Sequence, residues 1–221
     1  MAMKTNSNAL YEALLKQIID LTLYPGMRLS ENAVSKMYNV SRSVVRGAFA
    51  RLVECNFLEV YPQRGTYVSR VNLNYIRKAL FIRAAVEKEI LRSFMIDSTS
   101  KDDILEKMAQ NLKEQRKFVG EKQYVDKFRV LDEQFHNYIL IGGGSEDILH
   151  LLDRHLLHIA RWRNIYVRSG VYLAILVDQH ESIVDAIQRN DLEGALEATS
   201  VHINTVHGLE INDPEFQDYF E

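Results

Sequence analysis

Cysteine is nearly absent from the sequence, and long apolar runs are missing altogether. Cys55 is the only cysteine in 221 residues, which excludes both an internal disulfide and a zinc site made of cysteines. No uninterrupted apolar stretch approaches the roughly 18 residues that a membrane helix requires, and the N-terminal residues form no apolar signal segment. With 47% hydrophobic and 26% charged residues, the composition predicts a soluble, cytoplasmic globular protein with no membrane partner.

Charge is distributed unevenly along the chain, although the formal net charge is only -3. Residues 1–71 contain nine Lys/Arg and five Asp/Glu, or +4, whereas the rest contains 18 and 25, or -7. A small basic domain joined to a larger acidic one is typical of a nucleic-acid binder with a separate sensing or assembly domain. The change of pattern near Val71 predicts a boundary between a domain at 1–71 and a second domain at 72–212.

The first 71 residues have the pattern of three short helices followed by a hairpin. An apolar stripe begins at Leu10 and recurs at spacings of four, four and three up to a helix end near Leu23. Ser30 and Ser41 are placed as N-caps of the second and third helices. The next segment, "FLEVYPQRGTYVSRV", contains two β-rich runs around a turn. Three helices and a hairpin predict a winged helix-turn-helix fold.

Basic and hydroxyl side chains lie on the outer face of the predicted third helix. Arg42 and Arg46 are one helical turn apart, and a guanidinium group binds a guanine edge in the major groove through two hydrogen bonds. Ser41 and Ser43, with the free N–H groups of the helix start, are suited to hold phosphates. Arg64 lies at the expected wing tip. The alternative is a solvated basic face on a small bundle, and the hairpin directly after the helix favours DNA binding.

The remaining residues show helical patterns separated by short breaks, with no convincing strand or repeat. The predicted helices cover residues 73–96, 101–118, 121–141, 145–164, 168–190 and 192–209. Six such helices predict an all-α antiparallel bundle, so the whole chain is predicted to be mostly α. Pro214 follows the last helix, and residues 213–221 are predicted to form a disordered tail.

Four potential metal ligands lie on predicted inward faces of these helices. Asp132 and His136 are one turn apart among apolar residues, while His180 and His202 belong to inward apolar rows on two later helices. One carboxylate and three imidazoles that converge would form a facial or tetrahedral site for a divalent transition metal, with at least one position open. Separate buried hydrogen bonds explain the same spacing equally well, so the residues alone leave both interpretations open.

The segment from "PGMRLSENAVSKMYNVSRSVVRGAF" to "RGTYV" resembles the DNA-binding domain of the GntR family of bacterial transcription regulators. The family pattern is roughly P-G-x-x-L-x-E, then V-S-R-T-P-V-R-E-A-L, and a wing that ends R-G-x-x-V. The resemblance implies DNA contacts in which the arginines of the third helix read bases, its serines hold phosphates and the wing residues approach the minor groove. These residues are Arg42, Arg46, Ser41, Ser43, Arg64 and Gly65.

Three later segments, "DEQFH", "QHESIVDAIQRNDLEGA" and "SVHINTVH", match in order the pattern of another domain. They resemble the FCD ligand-binding domain, which follows the winged helix in the FadR-like branch of the GntR family. The resemblance implies that Asp132, His136, His180 and His202 bind a divalent transition metal, with zinc first and nickel, manganese or iron as alternatives. His207 would be the substitute ligand if His202 pointed elsewhere.

Arg83 matches an arginine on the first helix of the FCD domain. The resemblance implies that its guanidinium group holds an effector carboxylate beside the metal, because the group can bond to two oxygens at once. A salt bridge to Glu87, one turn further along the helix, explains this arginine nearly as well. Six helices are typical of the VanR-like form of the domain, and the family implies a homodimer.

Two other functions compete with a transcription regulator. A metal-dependent enzyme would use the open metal position to activate water, and Glu133 with His136 fits the Glu-x-x-His motif of di-iron bundles. No second such motif is present, and no catalytic base stands out. The other is a DNA-binding assembly protein without an effector. We therefore expect a homodimeric regulator, not an enzyme, that binds a pseudo-palindromic DNA operator and responds to a small carboxylate metabolite.

Overall fold

Two compact units make up the chain. The computed structural model describes residues 6–97, 100–122, 124–169, 173–204 and 214–221. One unit is formed by Met1–Leu73 together with Asn212–Glu221, and the other by Asn74–Ile211. Among the helices within the described ranges, none is long and apolar enough to cross a membrane.

The first unit combines three helices with a small antiparallel sheet. Its elements are α1 (Ser7–Ile19), β1 (Arg28–Leu29), α2 (Glu31–Tyr38), α3 (Arg42–Glu54), β2 (Leu58–Tyr61) and β3 (Gly65–Val68). The sheet order is β1-β3-β2, so the hairpin predicted from the sequence gains a third strand of two residues. This short strand has too few residues to show an alternating pattern, which explains why the sequence did not predict it.

Local side-chain chemistry sets the ends of these helices. The Ser30 and Ser41 hydroxyls accept hydrogen bonds from the backbone N–H groups of the third residue after each, as expected of N-caps. Asn39 ends α2 in the left-handed conformation at φ 50°. The first helix ends at Ile19, about one turn earlier than predicted, because Leu21 takes a φ of 64°.

The apolar stripes predicted for α1 and α3 meet in the core of the first unit. Leu10, Ile18, Val45 and Leu52 are fully buried there. Burying such side chains contributes roughly 1.5–3 kcal/mol each. The packing holds α3 against α1 and α2 and leaves the opposite face of α3 exposed. The winged helix-turn-helix predicted from the sequence is confirmed.

All of the regular secondary structure in the described residues of the second unit is helical. Its helices are α4 (Leu73–Asp97), α5 (Lys101–Gln115), α6 (Asp126–Gly142), α7 (Ile148–Arg168), α8 (Leu173–Gln188) and α9 (Leu192–Asn204). A single 3₁₀ turn, Arg116–Phe118, extends α5. Among these helices, α5 packs against α6 and α8, and α8 packs against α9. The helical bundle predicted from the sequence is confirmed.

The C-terminal residues differ from the disordered tail that the sequence predicts. Pro214–Tyr219 forms a 3₁₀ helix in the first unit, and Phe216 is only 2% exposed. Tyr219 stacks on Tyr24, and Phe220 forms an isolated parallel bridge with Val71. The prediction was wrong because Pro214 ends the helical pattern, whereas the partners that order the following residues lie at the other end of the sequence.

Phe216→Ala should destabilise the first unit, because the substitution leaves a cavity in place of a buried ring. We expect a loss of about 3–5 kcal/mol in the free energy of unfolding. Urea denaturation combined with hydrogen exchange at the amides of α3 measures this loss. Gln217→Ala, at an exposed neighbouring position, is the matched control. Unchanged exchange in the Phe216 variant would show that the ring does not support this unit.

Candidate metal centre and nucleic-acid interface

The four predicted ligands lie together in the interior of the second unit. Asp132 and His136 come from α6, His180 from α8 and His202 from α9. Each of the four is at most 2% exposed. One donor atom from each lies within 4.8 Å of the donors of the other three. His207, the substitute ligand, lies outside the described residues.

The imidazole rings face one another through their Nε2 atoms. The Nε2 atom of His202 is 3.1 Å from that of His136 and 3.1 Å from that of His180. The Oδ1 atom of Asp132 lies 3.6 Å from the Nε2 atom of His180. Two nitrogen ligands of a tetrahedral zinc ion are separated by roughly 3.3 Å, since each Zn–N bond is about 2.0–2.1 Å long. The observed separations therefore match the spacing of ligands around one ion.

Each ring has a separate partner on its outer nitrogen. The Nδ1 atom of His136 lies 2.8 Å from Glu87 Oε2, and that of His180 lies 2.9 Å from Gln115 Oε1. The Nδ1 atom of His202 lies 3.2 Å from Gln179 Oε1. All three partners are acceptors, so all three Nδ1 atoms carry the hydrogen. Hydrogen bonds of this type orient the imidazole ligands of metal sites in proteins.

The three rings have too few N–H groups to form hydrogen bonds between their Nε2 atoms. A neutral imidazole has a single N–H, and here the outer partners use it, so the inner Nε2 atoms present only lone pairs. Asp132 Oδ1 is also buried and has no hydrogen-bond partner. Unpaired buried lone pairs are costly. A cation bound to the three Nε2 atoms and to Asp132 Oδ1 would pair with all of these lone pairs. The residues therefore fit a divalent metal ion.

Burial keeps the three rings neutral. Desolvation lowers the pKa of His136 and lowers the pKa values of His180 and His202 well below the usual histidine range. Burial opposes ionisation of Glu87, but Arg83 and His136 outweigh it and lower the pKa of Glu87 to about 2. Neutral imidazoles are the form that binds a metal.

Arg163 and Tyr124 hold the second oxygen of the Asp132 carboxylate. The Tyr124 hydroxyl donates to Asp132 Oδ2 at 2.9 Å, and Arg163 Nη1 forms a buried ion pair with the same oxygen. Burial raises the pKa of Asp132, but the Arg163 guanidinium outweighs burial, and the pKa falls well below its usual range. Asp132 is therefore ionised, with Oδ1 directed to the cluster and Oδ2 engaged outside it.

A cavity of about 370 Å³ lies beside the cluster. Its wall includes Asp132, His136, Arg83 and Arg163. Arg83 Nε bonds to Glu87 Oε1 at 2.5 Å, so the salt bridge considered as the alternative for this arginine is present, while Arg83 also lines the cavity. The Nε and Nη2 atoms of Arg163 are buried without a hydrogen-bond partner. These free donors suit an anionic ligand.

Several residues that surround the four clustered side chains were not assigned to the site from the sequence. Glu87 was considered only as a salt-bridge partner of Arg83, and Arg163, in the run "ARWRN", is only a weaker candidate for the cavity. Gln115, Gln179 and Tyr124 carry no motif, because neutral amides and phenols occur throughout helical proteins. Which donor each of them contacts depends on how the helices of the unit pack, and helical periodicity does not report that packing.

Four of the predicted DNA-contacting residues are exposed in the first half of α3 or at its N-cap. Ser41, Arg42 and Ser43 are exposed at the start of α3, where the Ser41 and Ser43 hydroxyls are 2.8 Å apart. Arg46 is exposed and pairs with Glu31 of α2 at 3.0 Å. An exposed pair of this kind contributes little stability, so a DNA phosphate or base can replace Glu31.

The wing turn positions the two remaining residues. Arg64 is exposed in the turn between β2 and β3. Gly65 follows at φ +117°, a conformation that L side chains rarely adopt, and a Cβ there would lie 3.0 Å from Arg28 Nε. Glycine is therefore required for this turn.

Comparison with known proteins gives the family of each unit. Residues 78–205, more than half of the chain, match the family model described as FCD domain. Residues 6–68 match the model described as bacterial regulatory proteins, gntR family. The two matches cover the helical bundle and the winged helix respectively.

Individual proteins agree with these matches. The chain is 29% identical over 197 residues to the HTH-type transcriptional repressor RspR of Escherichia coli (strain K12), covering 89% of this chain and 85% of RspR. An uncharacterised HTH-type transcriptional regulator of Streptomyces ambofaciens is 29% identical over 204 residues, covering 92% of this chain and 84% of that protein.

Solved structures share the fold. A GntR transcriptional regulator from Rhodococcus sp. RHA1 has a TM-score of 0.69 at 21% identity, covering 92% of this chain and 98% of that one. E. coli McbR/YncC has a TM-score of 0.67 at 17% identity, covering 90% and 93%. With both family models matched in order along the sequence, the chain belongs to the gntR family of bacterial regulatory proteins and is a DNA-binding transcription regulator with an FCD domain.

Proposed function

We propose that this regulator responds to a small carboxylate metabolite that binds beside a divalent metal ion in the helical unit. The metal ligands are Asp132, His136, His180 and His202. The observation that carries the proposal is the convergence of three Nε2 lone pairs and one unpartnered carboxylate oxygen in a buried cluster. Such a donor set, with hydrogen-bonded outer nitrogens, has the composition of a transition-metal site.

The ligand types limit the metal to a small group of divalent transition ions. Three imidazoles and one carboxylate suit zinc, and also nickel, manganese or iron, because nitrogen and oxygen donors of this kind serve all four. When bound, the metal supplies a Lewis-acid position that can accept an oxygen atom of the effector. The protein supplies the cavity that brings this oxygen to the cluster.

Charge balance favours an anionic effector. The two buried ion pairs beside the cluster, Arg83 with Glu87 and Arg163 with Asp132, sum to zero formal charge. With neutral imidazoles, a divalent ion therefore leaves the buried site with an excess of two positive charges. Uncompensated buried charge is costly, and a carboxylate in the cavity reduces that cost. Metal and effector should thus strengthen each other's binding.

Two arginines would hold the effector carboxylate. Arg83 lines the cavity while its Nε atom remains bonded to Glu87. The buried Nε and Nη2 groups of Arg163 have no hydrogen-bond partner. They can donate to a second carboxylate while Nη1 remains bonded to Asp132. Arg163 therefore joins Arg83 as a proposed effector-binding residue.

DNA binding would use the exposed start of α3 and the wing. Arg42 and Arg46 would read base edges in the major groove, Ser41 and Ser43 would hold phosphates, and Arg64 with Gly65 would reach the minor groove. A homodimer would place two such units on a pseudo-palindromic operator. The effector can change operator affinity only by binding two conformations of the dimer with different affinity.

Removal of a ligand should remove the metal and the response together. We expect the wild-type protein to contain stoichiometric metal by elemental analysis, and His180→Ala to bind it about 10–100-fold more weakly or not at all. His155→Ala, which removes a histidine outside the cluster, is the control. An operator-shift assay with and without added carboxylates then measures how operator binding responds to an effector. A wild-type protein that responds fully without metal would refute the metal centre.

Arg163→Lys should separate effector binding from metal binding. Lysine keeps the charge beside Asp132 but cannot bond to two oxygens in parallel, so we expect retained zinc and at least about tenfold weaker carboxylate binding. Titration of the zinc-loaded protein with a panel of mono- and dicarboxylates, followed by fluorescence of Trp162, measures the affinity. Arg129→Lys, at the cavity wall, is the control. Equal affinities in all three proteins would exclude a direct role for Arg163.

Arg42→Ala and Arg46→Ala should each weaken specific operator binding by about 1–3 kcal/mol, as expected for loss of a contact to two base atoms. Non-specific binding to random duplex DNA should fall less. The ratio of the two affinities, measured at one fixed salt concentration, separates base reading from charge. Arg189→Ala, an exposed arginine of the helical unit, is the control. A loss equal for operator and random DNA would reduce both arginines to phosphate contacts.

A further inference from the structure

Two amide side chains of α5 lie buried behind His180. Gln115 is fully buried and Asn111 is 4% exposed. Gln115 Oε1 lies 2.9 Å from His180 Nδ1, and Gln115 Nε2 donates to Asn111 Oδ1 at 2.6 Å. Asn111 Nδ2 donates to the backbone carbonyl of Leu131 in α6 at 3.1 Å. The three helices α5, α6 and α8 are joined by this line of hydrogen bonds.

The Leu131 carbonyl fixes the direction of every bond in the line. A carbonyl oxygen only accepts, so Asn111 must present its NH₂ group to Leu131 and its oxygen to Gln115. Gln115 must then donate to Asn111 and turn its own oxygen to the imidazole. Only a ring with hydrogen on Nδ1 can complete the sequence. Turning either amide over would set two donors or two acceptors against each other in the core, which is costly.

Neither amide has a role in the cavity wall or in the DNA-contacting face. Burying two amide groups is unfavourable unless every donor and acceptor is bonded, and apolar side chains would fill the same space at lower cost. The bonded line is thus explained by what it does to the ring at its end.

We propose that Gln115 and Asn111 form a one-directional hydrogen-bond relay that holds His180 in the Nδ1–H tautomer and aims its Nε2 lone pair at the cluster before any metal binds. Both are positioning residues, since they act only through His180. The functional consequence rests on the proposed metal centre, whereas the tautomer itself does not need a metal. Such outer partners raise metal affinity about 10–100-fold in protein sites.

The direct test is the tautomer of His180 in the metal-free protein. Long-range ¹H–¹⁵N correlation spectra distinguish hydrogen on Nδ1 from hydrogen on Nε2. We expect Nδ1–H in the wild type. Gln115→Met keeps the length of the side chain but removes the acceptor, so the Nε2–H form should appear. Gln115→Glu keeps an acceptor at the same place and should retain Nδ1–H. Gln188→Met, at an exposed position, is the control.

Zinc affinity, measured by competition with a chelator, is the second readout. Gln115→Met should bind zinc about 10–100-fold more weakly than the wild type, and Gln115→Glu should bind it as well or better. Asn111→Leu should behave like a milder Gln115→Met, because Gln115 is then free to turn its amide group. Urea unfolding of each variant separates these effects from loss of folding.

The outcomes distinguish the relay from the metal centre. If the wild type shows Nδ1–H and the Gln115→Met protein does not, the relay stands even where zinc fails to bind any variant. If wild-type His180 carries its hydrogen on Nε2, the relay is refuted. If the Gln115→Met protein keeps both the wild-type tautomer and the wild-type zinc affinity, it is refuted as well, although the metal centre survives.

Discussion

The small number of N–H groups on the buried histidine rings is the constraint on which the interior of the helical unit depends. Each neutral imidazole has one N–H, and in His136, His180 and His202 an acceptor outside the cluster uses it. The inner nitrogens therefore face one another as lone pairs at 3.1 Å. An added proton would relieve this contact, but burial lowers the pKa of all three rings. A cation bound between these nitrogens would relieve it and would leave the outer Nδ1 hydrogen bonds available.

This constraint distributes the site over the whole described bundle. The four clustered side chains come from α6, α8 and α9, while α4, α5 and α7 supply Glu87, Gln115 and Arg163 as their partners. The buried ion pairs are poor sources of stability, since desolvation cancels much of the attraction between the charges. Their effect is to fix orientation. A ligand that moves any one donor therefore acts on the packing of several helices at once.

Sequence periodicity predicted the helices, the hairpin and the inward faces that carry Asp132, His136, His180 and His202, because these patterns repeat locally along one helix or hairpin. It left open whether the four side chains meet, and the resemblance to the FCD domain favoured that interpretation. The hydrogen-bond partners of those four side chains could not be predicted from periodicity. Gln115 and Glu87 contact the histidines only because helices from distant parts of the chain pack together. The prediction of a disordered tail was wrong for the same reason, since Tyr219 and Phe220 contact Tyr24 and Val71, which are distant in the sequence. For Arg83, the sequence analysis considered both the salt bridge to Glu87 and a place at an effector cavity, and the structure contains both. Arg163, which also lines the cavity, was only a weaker candidate.

The C-terminal segment makes the DNA-binding unit discontinuous in sequence. Phe216 is buried in the unit formed by Met1–Leu73 and Asn212–Glu221. The backbone of Val71 forms hydrogen bonds with the backbone of Tyr219 and of Glu221. A fragment cut after Leu73 would therefore lack part of its own core and would expose the surface that Phe216 covers. Supplying residues 214–221 as a separate peptide would return the missing piece. The DNA-binding unit is thus completed by residues 214–221, which follow the helical unit in the sequence.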